Sequence, residues 1–104
     1  MKKFHVKKLW KNLIREMKAE FTGRFLKDLD KLKQASIKKD IKDIIEQVEK
    51  ADSLSEIKNI KKLKGHLSAY RIRSGDYRIG LFLENNIVEF ARVANRKDIY
   101  KIFP

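Results

Sequence analysis

The second half of the chain contains three runs of β-branched and aromatic residues that are separated only by very short breaks. The breaks, 74–76 (SGD) and 84–86 (ENN), consist of the small and polar residues that favour tight turns. Strands joined by such short connections pair antiparallel with their neighbours in the sequence. The pattern therefore predicts a three-stranded antiparallel meander over 67–73 (LSAYRIR), 77–83 (YRIGLFL) and 87–94 (IVEFARVA).

The first half of the chain, after residue 16, is dominated by apolar residues at helical spacing. A short strand is predicted over 17–21 (MKAEF), and Thr22 is suited to cap the helix that follows it. A break at 34–36 (QAS) separates two helices, and Ser36 is predicted to cap the second. The two apolar stripes are Phe25, Leu26, Leu29 and Leu32, and then Ile37, Ile41, Ile44, Ile45 and Val48.

The order of these elements predicts the fold class. Two helices in succession form a helical hairpin, a short helical turn is expected over 54–60, and 95–102 ends the chain with a turn and a fragment of helix. Helices grouped ahead of an antiparallel sheet favour an α+β fold in which the hairpin packs on one face of a small antiparallel β-sheet. The other face of the sheet is then expected to be free for function.

The length of 104 residues fits one domain, predicted over 17–104. The residues before it, 1–16, form an extension with its own pattern. Four apolar residues, Val6, Leu9, Trp10 and Leu13, recur there at helical spacing among lysines, and Met17 continues their pattern. The extension is therefore predicted to be an extra, basic, amphipathic N-terminal helix.

The net charge of +12 arises from 26 basic and 14 acidic residues, and it is unevenly distributed along the chain. Residues 1–24 carry a net charge of +6, residues 25–60 of zero and residues 61–104 of +6. Such a charge opposes compaction unless a partner compensates it, and the usual partners are polyanions such as nucleic acid, an acidic protein or an anionic membrane. The absence of cysteine excludes disulfides and thiolate metal sites and fits the cytoplasm.

Several function classes are disfavoured by what the sequence lacks. No stretch approaches the ~20 apolar residues of a membrane span, and the N-terminus lacks the pattern of a signal peptide. No acidic and histidine residues have metal-ligand spacing, no serine sits in a nucleophile elbow, and no glycine-rich phosphate loop is present. His66 is interpreted as a surface or turn residue. We expect no metal and no cofactor, so an enzyme with this sequence would depend on other side chains for catalysis.

Two adjacent strands of the meander place three arginines on one face of the sheet. Because side chains alternate along a strand, Arg71 and Arg73 point the same way, and Arg78 on the next strand joins them. A guanidinium is a planar, permanently charged fork that matches phosphate geometry, so this face suits a phosphodiester backbone. The alternative is that the arginines are solvated and paired with nearby acids: Asp76, Glu84 and Glu89.

Four segments together resemble the toxins of the RelE/ParE superfamily over about residues 17–102. They are 21–32 (FTGRFLKDLDKL), 63–65 (LKG), 70–79 (YRIRSGDYRI) and 95–100 (NRKDIY). The resemblance implies the toxin of a toxin–antitoxin pair. In the RelE branch it implies a ribosome-dependent endoribonuclease that cuts mRNA in the A site and so inhibits translation. The 2′-hydroxyl attacks the neighbouring phosphate there and leaves a 2′,3′-cyclic phosphate.

The resemblance also assigns roles by motif. Arg71 and Arg73 match basic positions of the first hairpin strand, Arg78 the phosphate-stabilising arginine, and Arg96 the basic residue after the last strand. Tyr100 matches the tyrosine that stacks on a base and assists proton transfer, although it could instead pack the C-terminal turn on the sheet. Four further cations are predicted to contact RNA: Lys62, Lys64, Arg92 and Lys97. The usual histidine before the final motif is Asn95 here, which removes one candidate acid or base.

Two alternatives to an mRNA nuclease stay open. ParE members of the superfamily share the fold but poison DNA gyrase, and a catalytically inactive, basic RNA-binding module would have the same charge. The partners implied by the RelE reading are the ribosome, mRNA and a cognate antitoxin. The antitoxin would supply an acidic or amphipathic segment that covers the arginine face or displaces the C-terminal turn.

Overall fold

A computed structural model describes residues 17–104, which form one five-stranded mixed sheet with three helices. In chain order the elements are strand β1 (Lys18–Phe21), helix α1 (Gly23–Lys31), helix α2 (Ala35–Lys50), a 3₁₀ turn (Leu54–Glu56), strands β2 (Ile60–Lys62), β3 (Ala69–Ser74), β4 (Tyr77–Glu84) and β5 (Ile87–Asn95), and helix α3 (Arg96–Ile102). The α+β class is confirmed. The predicted N-terminal helix over 1–16 lies outside the described residues. No helix within 17–104 is long and apolar enough to cross a membrane.

The meander of β3, β4 and β5 is confirmed, with both turns where the sequence predicted them. Ser74 pairs with Tyr77 and Glu84 with Ile87, so each turn contains two residues. Gly75 has a φ of 58°, and Asn85 and Asn86 have φ of 51° and 63°. These are left-handed conformations that glycine and asparagine adopt at low cost, and they match the twist of a hairpin.

Two edge strands extend the meander, and the sequence pattern did not predict their pairing. The order of the sheet is β1-β5-β4-β3-β2. β1 runs parallel to β5, and β2 runs antiparallel to β3. The expected helical turn over 54–60 is only partly right, since the 3₁₀ turn occupies its first half and Ile60 already begins β2. The sheet is therefore mixed and not purely antiparallel.

The main core lies between the helical hairpin and one face of the sheet. Its fully buried side chains include Phe25 from α1, Ile41 and Val48 from α2, and the strand residues Ile72, Ile79, Leu81, Val88 and Phe90. Thr22 caps α1 as predicted, because its hydroxyl accepts a hydrogen bond from the amide of Phe25. Leu26 departs from the predicted stripe and remains 51% exposed.

The start of α2 differs from its prediction. The N-cap is Gln34 and not Ser36, which lies inside the helix. The amide of Lys38 donates to the carbonyl of Gln34 at 3.3 Å, so helical hydrogen bonding already begins two residues ahead of Ser36.

The second face of the sheet is not free along its whole length, contrary to the prediction. Ile99 of α3 and Phe103 pack on it with Ala69 and Ala91 and form a small separate cluster. Gly80 makes this possible, because a Cβ at that position would lie 2.5 Å from the Phe103 ring. The end of the chain therefore closes over the middle of the sheet, and the arginine-bearing end next to the β3–β4 turn remains available.

Candidate nucleic-acid interface

Two of the predicted arginines face each other across β3 and β4. Arg73 and Arg78 are partners in the strand register, so their side chains leave the sheet on the same side. Within the described residues neither guanidinium forms an ion pair with a carboxylate. Arg78 donates instead to the carbonyls of Gly75 and Tyr77, at 2.8 and 2.9 Å. Like charges opposed in this way destabilise a sheet, and an anionic partner would relieve the repulsion.

Arg71 lies on the same face and contacts the predicted tyrosine. It pairs with Gly80 in the register, and its guanidinium carbon lies 4.5 Å from the centre of the Tyr100 ring. This is a cation–π contact, in which the ring face attracts the cation. Tyr100 remains 66% exposed, so one ring face is held by Arg71 while the other faces outward. The C-terminal turn is packed on the sheet by Ile99 and Phe103 and not by Tyr100, so the stacking of Tyr100 on a base stays a prediction.

The helix that carries Tyr100 is held at its start by Asn95. The side-chain oxygen of Asn95 accepts a hydrogen bond from the amide of Lys97 at 3.0 Å, which makes it the N-cap of α3. The amide of Arg96 donates to the carbonyl of Asp76 at 2.8 Å, which joins α3 to the β3–β4 turn. The residue that departs from the family motif therefore has a structural function in this chain.

Arg92 is not part of the arginine cluster. Its Nε and terminal nitrogen donate to the two carboxylate oxygens of Asp28 in α1, at 2.8 and 3.2 Å. Asp28 is only 8% exposed, and it also accepts the amide of Val93 at 3.0 Å. The hydrogen bond to Asp28 raises the pKa of Arg92, partial burial lowers it, and the carboxylate charge raises it further. Arg92 was predicted to contact RNA, but its fork is already occupied by a carboxylate.

The other predicted cations are exposed, but Lys62 is not on the arginine face. Arg96 and Lys97 lie in the first turn of α3, and Lys64 lies in the loop after β2. Lys62 pairs with Tyr70, whose side chain packs in the main core, so Lys62 leaves β2 on the opposite side of the sheet from Arg71. Lys61 does lie on the arginine face, since it is exposed and pairs with Arg71 in the register. The sequence pattern did not identify Lys61 because β2 was not predicted.

Asp28, the partner of Arg92, was not identified from the sequence, although the sequence pattern does indicate that its carboxylate is buried. It lies three residues after Phe25 and four before Leu32, on the stripe of α1 that the core buries. An acid at a core position of a helix needs a cationic partner or several hydrogen-bond donors. Only the fold shows that Arg92 and the amide of Val93 supply them.

The arrangement can bind anions without a metal ion. No group of three or more histidine, cysteine, aspartate or glutamate side chains in the described part of the chain is placed to hold a metal. Three guanidiniums and an outward-facing tyrosine ring instead occupy one end of a rigid sheet face. Guanidiniums bind phosphate oxygens, and an aromatic ring stacks on a base. The face therefore has the chemistry of a small basic domain that binds a nucleic-acid strand.

Comparison with known proteins specifies the family. Residues 19–100 match the family described as the ParE toxin of the type II toxin–antitoxin system parDE. Toxin RelE3 of Methanocaldococcus jannaschii is 46% identical over 89 residues, which are 85% of this chain and 100% of that protein. Putative toxin RelE1 of the same organism is 31% identical over 84 residues, 79% of this chain and 92% of that protein.

A solved structure agrees with the sequence relatives. The crystal structure of a RelB–RelE antitoxin–toxin complex from Methanococcus jannaschii contains a chain that superposes with a TM-score of 0.71 at 42% identity, over 82% of this chain and 99% of that one. The chain belongs to the RelE/ParE superfamily of toxins from type II toxin–antitoxin systems. The predicted family and fold class are confirmed.

Proposed function

We propose that this toxin is a ribosome-dependent, metal-independent endoribonuclease of the RelE type that cuts mRNA and so inhibits translation. The observation that carries the proposal is the contact of Arg71 with Tyr100 beside the Arg73–Arg78 pair. One face thereby combines a ring for stacking and three permanent positive charges. The relatives named RelE support the nuclease reading over the other activities of the superfamily.

The proposed chemistry is an internal transesterification of RNA. The 2′-oxygen forms a bond to the adjacent phosphorus, the bond to the 5′-oxygen breaks, and a 2′,3′-cyclic phosphate remains. The negative charge on the non-bridging oxygens grows as the phosphorane forms, and donors already in place stabilise it most. Arg73 and Arg78 are proposed to bind these oxygens, while the outer ring face of Tyr100 stacks on a base and so orients the 2′-hydroxyl.

Proton transfer in the proposed reaction falls to few groups. Asn95 has an amide in place of an imidazole, and its oxygen is committed to the amide of Lys97. His66 is exposed in the loop between β2 and β3. The Tyr100 hydroxyl is therefore proposed to give a proton to the departing 5′-oxygen, while water takes the proton of the 2′-hydroxyl. Arg96 and Lys97 are the neighbouring cations in α3. Stabilisation of charge by arginine would supply the larger part of the rate.

The proposed partners follow from the same face. Relatives are known in complexes with RelB antitoxins, and a cognate antitoxin is proposed for this toxin. It would offer carboxylates to Arg71, Arg73 and Arg78 and so cover the residues that bind RNA. Lys61, Lys64 and Lys97 are proposed to contact RNA around the site, and action on the ribosome implies a location in the cytoplasm.

A second candidate function is supported by the family match. The matched family is described as the ParE toxin of the type II toxin–antitoxin system parDE. The resemblance to ParE members implies inhibition of DNA gyrase without cutting of nucleic acid. That function would use the basic face to bind a protein, and it would not require the Tyr100 hydroxyl. Only the nuclease would produce cut mRNA, and only the nuclease would depend on the Tyr100 hydroxyl.

The decisive experiment maps mRNA ends on programmed ribosomes treated with the purified toxin. Arg73→Ala and Tyr100→Phe are the test variants, since both side chains are exposed and neither change empties the core. Lys39→Ala is the matched control because it removes one positive charge from the exposed side of α2. A-site cuts that persist in the control and fade in both variants support the nuclease. Intact mRNA together with inhibited gyrase supercoiling would establish the second function instead.

A further inference from the structure

The helical side of the molecule has an apolar groove between α1 and α2. Its floor contains Phe21, Leu26, Leu29, Ile41 and Ile45. Phe21 and Leu26 are 41% and 51% exposed, and two of the four large exposed hydrophobic residues within 17–104 thus lie in this one groove. Adjacent exposed apolar side chains on a small domain mark a surface that another segment covers.

The rim of the groove carries mixed charge. Three carboxylates, those of Asp30, Glu46 and Glu49, line it together with the ammonium groups of Lys38 and Lys42. The groove follows α2 from Lys38 to Glu49, which is about 17 Å at the rise of an α-helix. An apolar floor with a charged rim, extended along one helix, has the shape that takes an amphipathic helix.

We propose that residues 3–13 of this same chain form a helix that docks in the groove, with 14–16 as an extended connection to Met17. Their apolar positions are Val6, Leu9, Trp10 and Leu13, which recur at helical spacing over about 10 Å. Six basic residues and one acid give 1–16 a net charge of +5. The stripe fits the floor in length and character, and lysines beside it can reach the carboxylates of the rim.

The connection to the fold directs the segment to this side of the sheet. Met17 follows it at once and is buried in the main core at 5% exposure, between the sheet and the helices. Phe21, at the other end of β1, lines the groove, so the groove begins within about 13 Å of Met17. Four extended chain steps from Met17 back to Leu13 span at most roughly 14 Å, which reaches the groove if the docked helix ends at Leu13.

Electrostatic repulsion disfavours docking of the segment on the arginine face. Residues 61–104, which carry the arginine face, have a net charge of +6, whereas residues 25–60, which contain both groove helices, have none. A segment with five excess positive charges is repelled by the first surface and tolerated by the second. The 46%-identical toxin is matched over its whole length by only 85% of this chain. The family match starts only at residue 19 and leaves four residues after it.

The single tryptophan of the chain, Trp10, reports directly on this proposal. Emission and acrylamide quenching of the full chain are compared with those of a free peptide of residues 1–17. Docking predicts blue-shifted emission and a quenching constant several-fold lower than that of the peptide. Leu26→Asp places a charge on the groove floor at an exposed position and should restore peptide-like quenching while the far-UV circular dichroism of the domain persists.

Leu67→Asp is the control, because Leu67 is 95% exposed and lies in the loop after β2, outside the groove. It should leave Trp10 protected. Peptide-like quenching in the unmodified chain overturns the proposal, and so does protection that Leu26→Asp does not change. Protection that depends on protein concentration would assign the groove to a second copy, and protection that needs added RNA would assign the segment to RNA; both outcomes also overturn it. The measurement involves neither ribosomes nor mRNA, so it stands apart from the test of the nuclease.

Discussion

The carboxylate of Asp28 binds the Arg92 guanidinium at two points and the amide of Val93 at a third. These bonds join α1 to the point where β5 is irregular, since the register shifts opposite Gly80 and Leu81. The hydroxyl of Thr22 donates to the carbonyl of Ala91 at 2.8 Å in the same region. A bulge in a strand leaves backbone groups unpaired, and two side chains from the start of the domain satisfy them here.

Asp28→Asn should destabilise the domain strongly. The amide cannot balance the charge of Arg92, whose side chain is only 18% exposed, and removing one member of a buried pair costs about 3 kcal/mol. Urea unfolding of the purified domain measures the loss. Asp30→Asn, an exposed change two residues along the same helix, should stay within about 0.5 kcal/mol of the parent. Equal stability of the two variants would contradict a structural function for the pair.

The same pair should not make stability depend on pH in the neutral range through Arg92. The pKa of Arg92 is raised above a value that is already high, by its hydrogen bond to Asp28. A raised folded-state pKa stabilises the fold fully below the unfolded pKa, and this contribution is lost only as the pH rises through the folded value, in strong alkali. Replacing Arg92 with Lys should therefore change the urea midpoint by a similar amount at pH 6 and pH 8. A difference confined to one of these pH values would refute this account.

Gly80→Ala should loosen the end of the chain. The added Cβ would lie 2.5 Å from the Phe103 ring, so the ring must leave the sheet, at a cost of about 1–3 kcal/mol. Hydrogen exchange should show faster exchange of the α3 amides while the amides of α2 stay protected. Gly23→Ala is the control, because a Cβ there meets nothing within 4 Å. Unchanged exchange in α3 would show that Phe103 is not the anchor of the helix.

Asn95→Ala should weaken α3 without altering the sheet. The lost side-chain cap is worth about 1 kcal/mol, whereas Asn95→Asp keeps an acceptor for the amide of Lys97 and should be close to neutral. Because α3 carries Tyr100, Asn95→Ala should also reduce cleavage in the ribosome assay, and Asn95→Asp much less. Equal effects of the two substitutions would show that the amide has a part in the chemistry beyond capping.

Binding of single-stranded RNA should depend steeply on salt. About four phosphate contacts would weaken the affinity roughly 50-fold between about 50 and 200 mM monovalent salt. Arg73→Ala should reduce the slope of log Kd against log salt by about 0.7, and Lys39→Ala on α2 should leave it unchanged. A Kd that is flat across this range would argue against an electrostatic interface with RNA.

The elements that depend on nearby residues could be predicted from the sequence. The two-residue turns at 75–76 and 85–86 need positive φ, and glycine and asparagine supply it locally. The stripe of Ile41 and Val48 and the cap at Thr22 are likewise decided within one or two turns of helix. Arg71, Arg73 and Arg78 share a face because alternation along paired strands requires it.

What escaped prediction depends on residues far apart in the chain. The pairing of β1 with β5 joins Lys18 to Ile87, and hydrophobic periodicity contains no information on which strands become neighbours. The contact of Asp28 with Arg92 spans 64 residues. Phe103 lies on Gly80 because the sheet has a gap there, and a lone glycine in a strand pattern shows neither the gap nor what fills it.

The parallel pairing of β1 with β5 also bears on how such a toxin is made. The first strand cannot find its place until Ile87–Asn95 has been synthesised, so the sheet stays incomplete through most of translation. The contacts between Thr22 and Ala91 and between Asp28 and Arg92 wait for the same residues. The contact of Arg71 with Tyr100 likewise needs a residue from the end of the chain, so the arginine face is complete only after nearly all of the domain has been synthesised. The order of the strands therefore delays completion of the sheet until synthesis of the domain is almost finished.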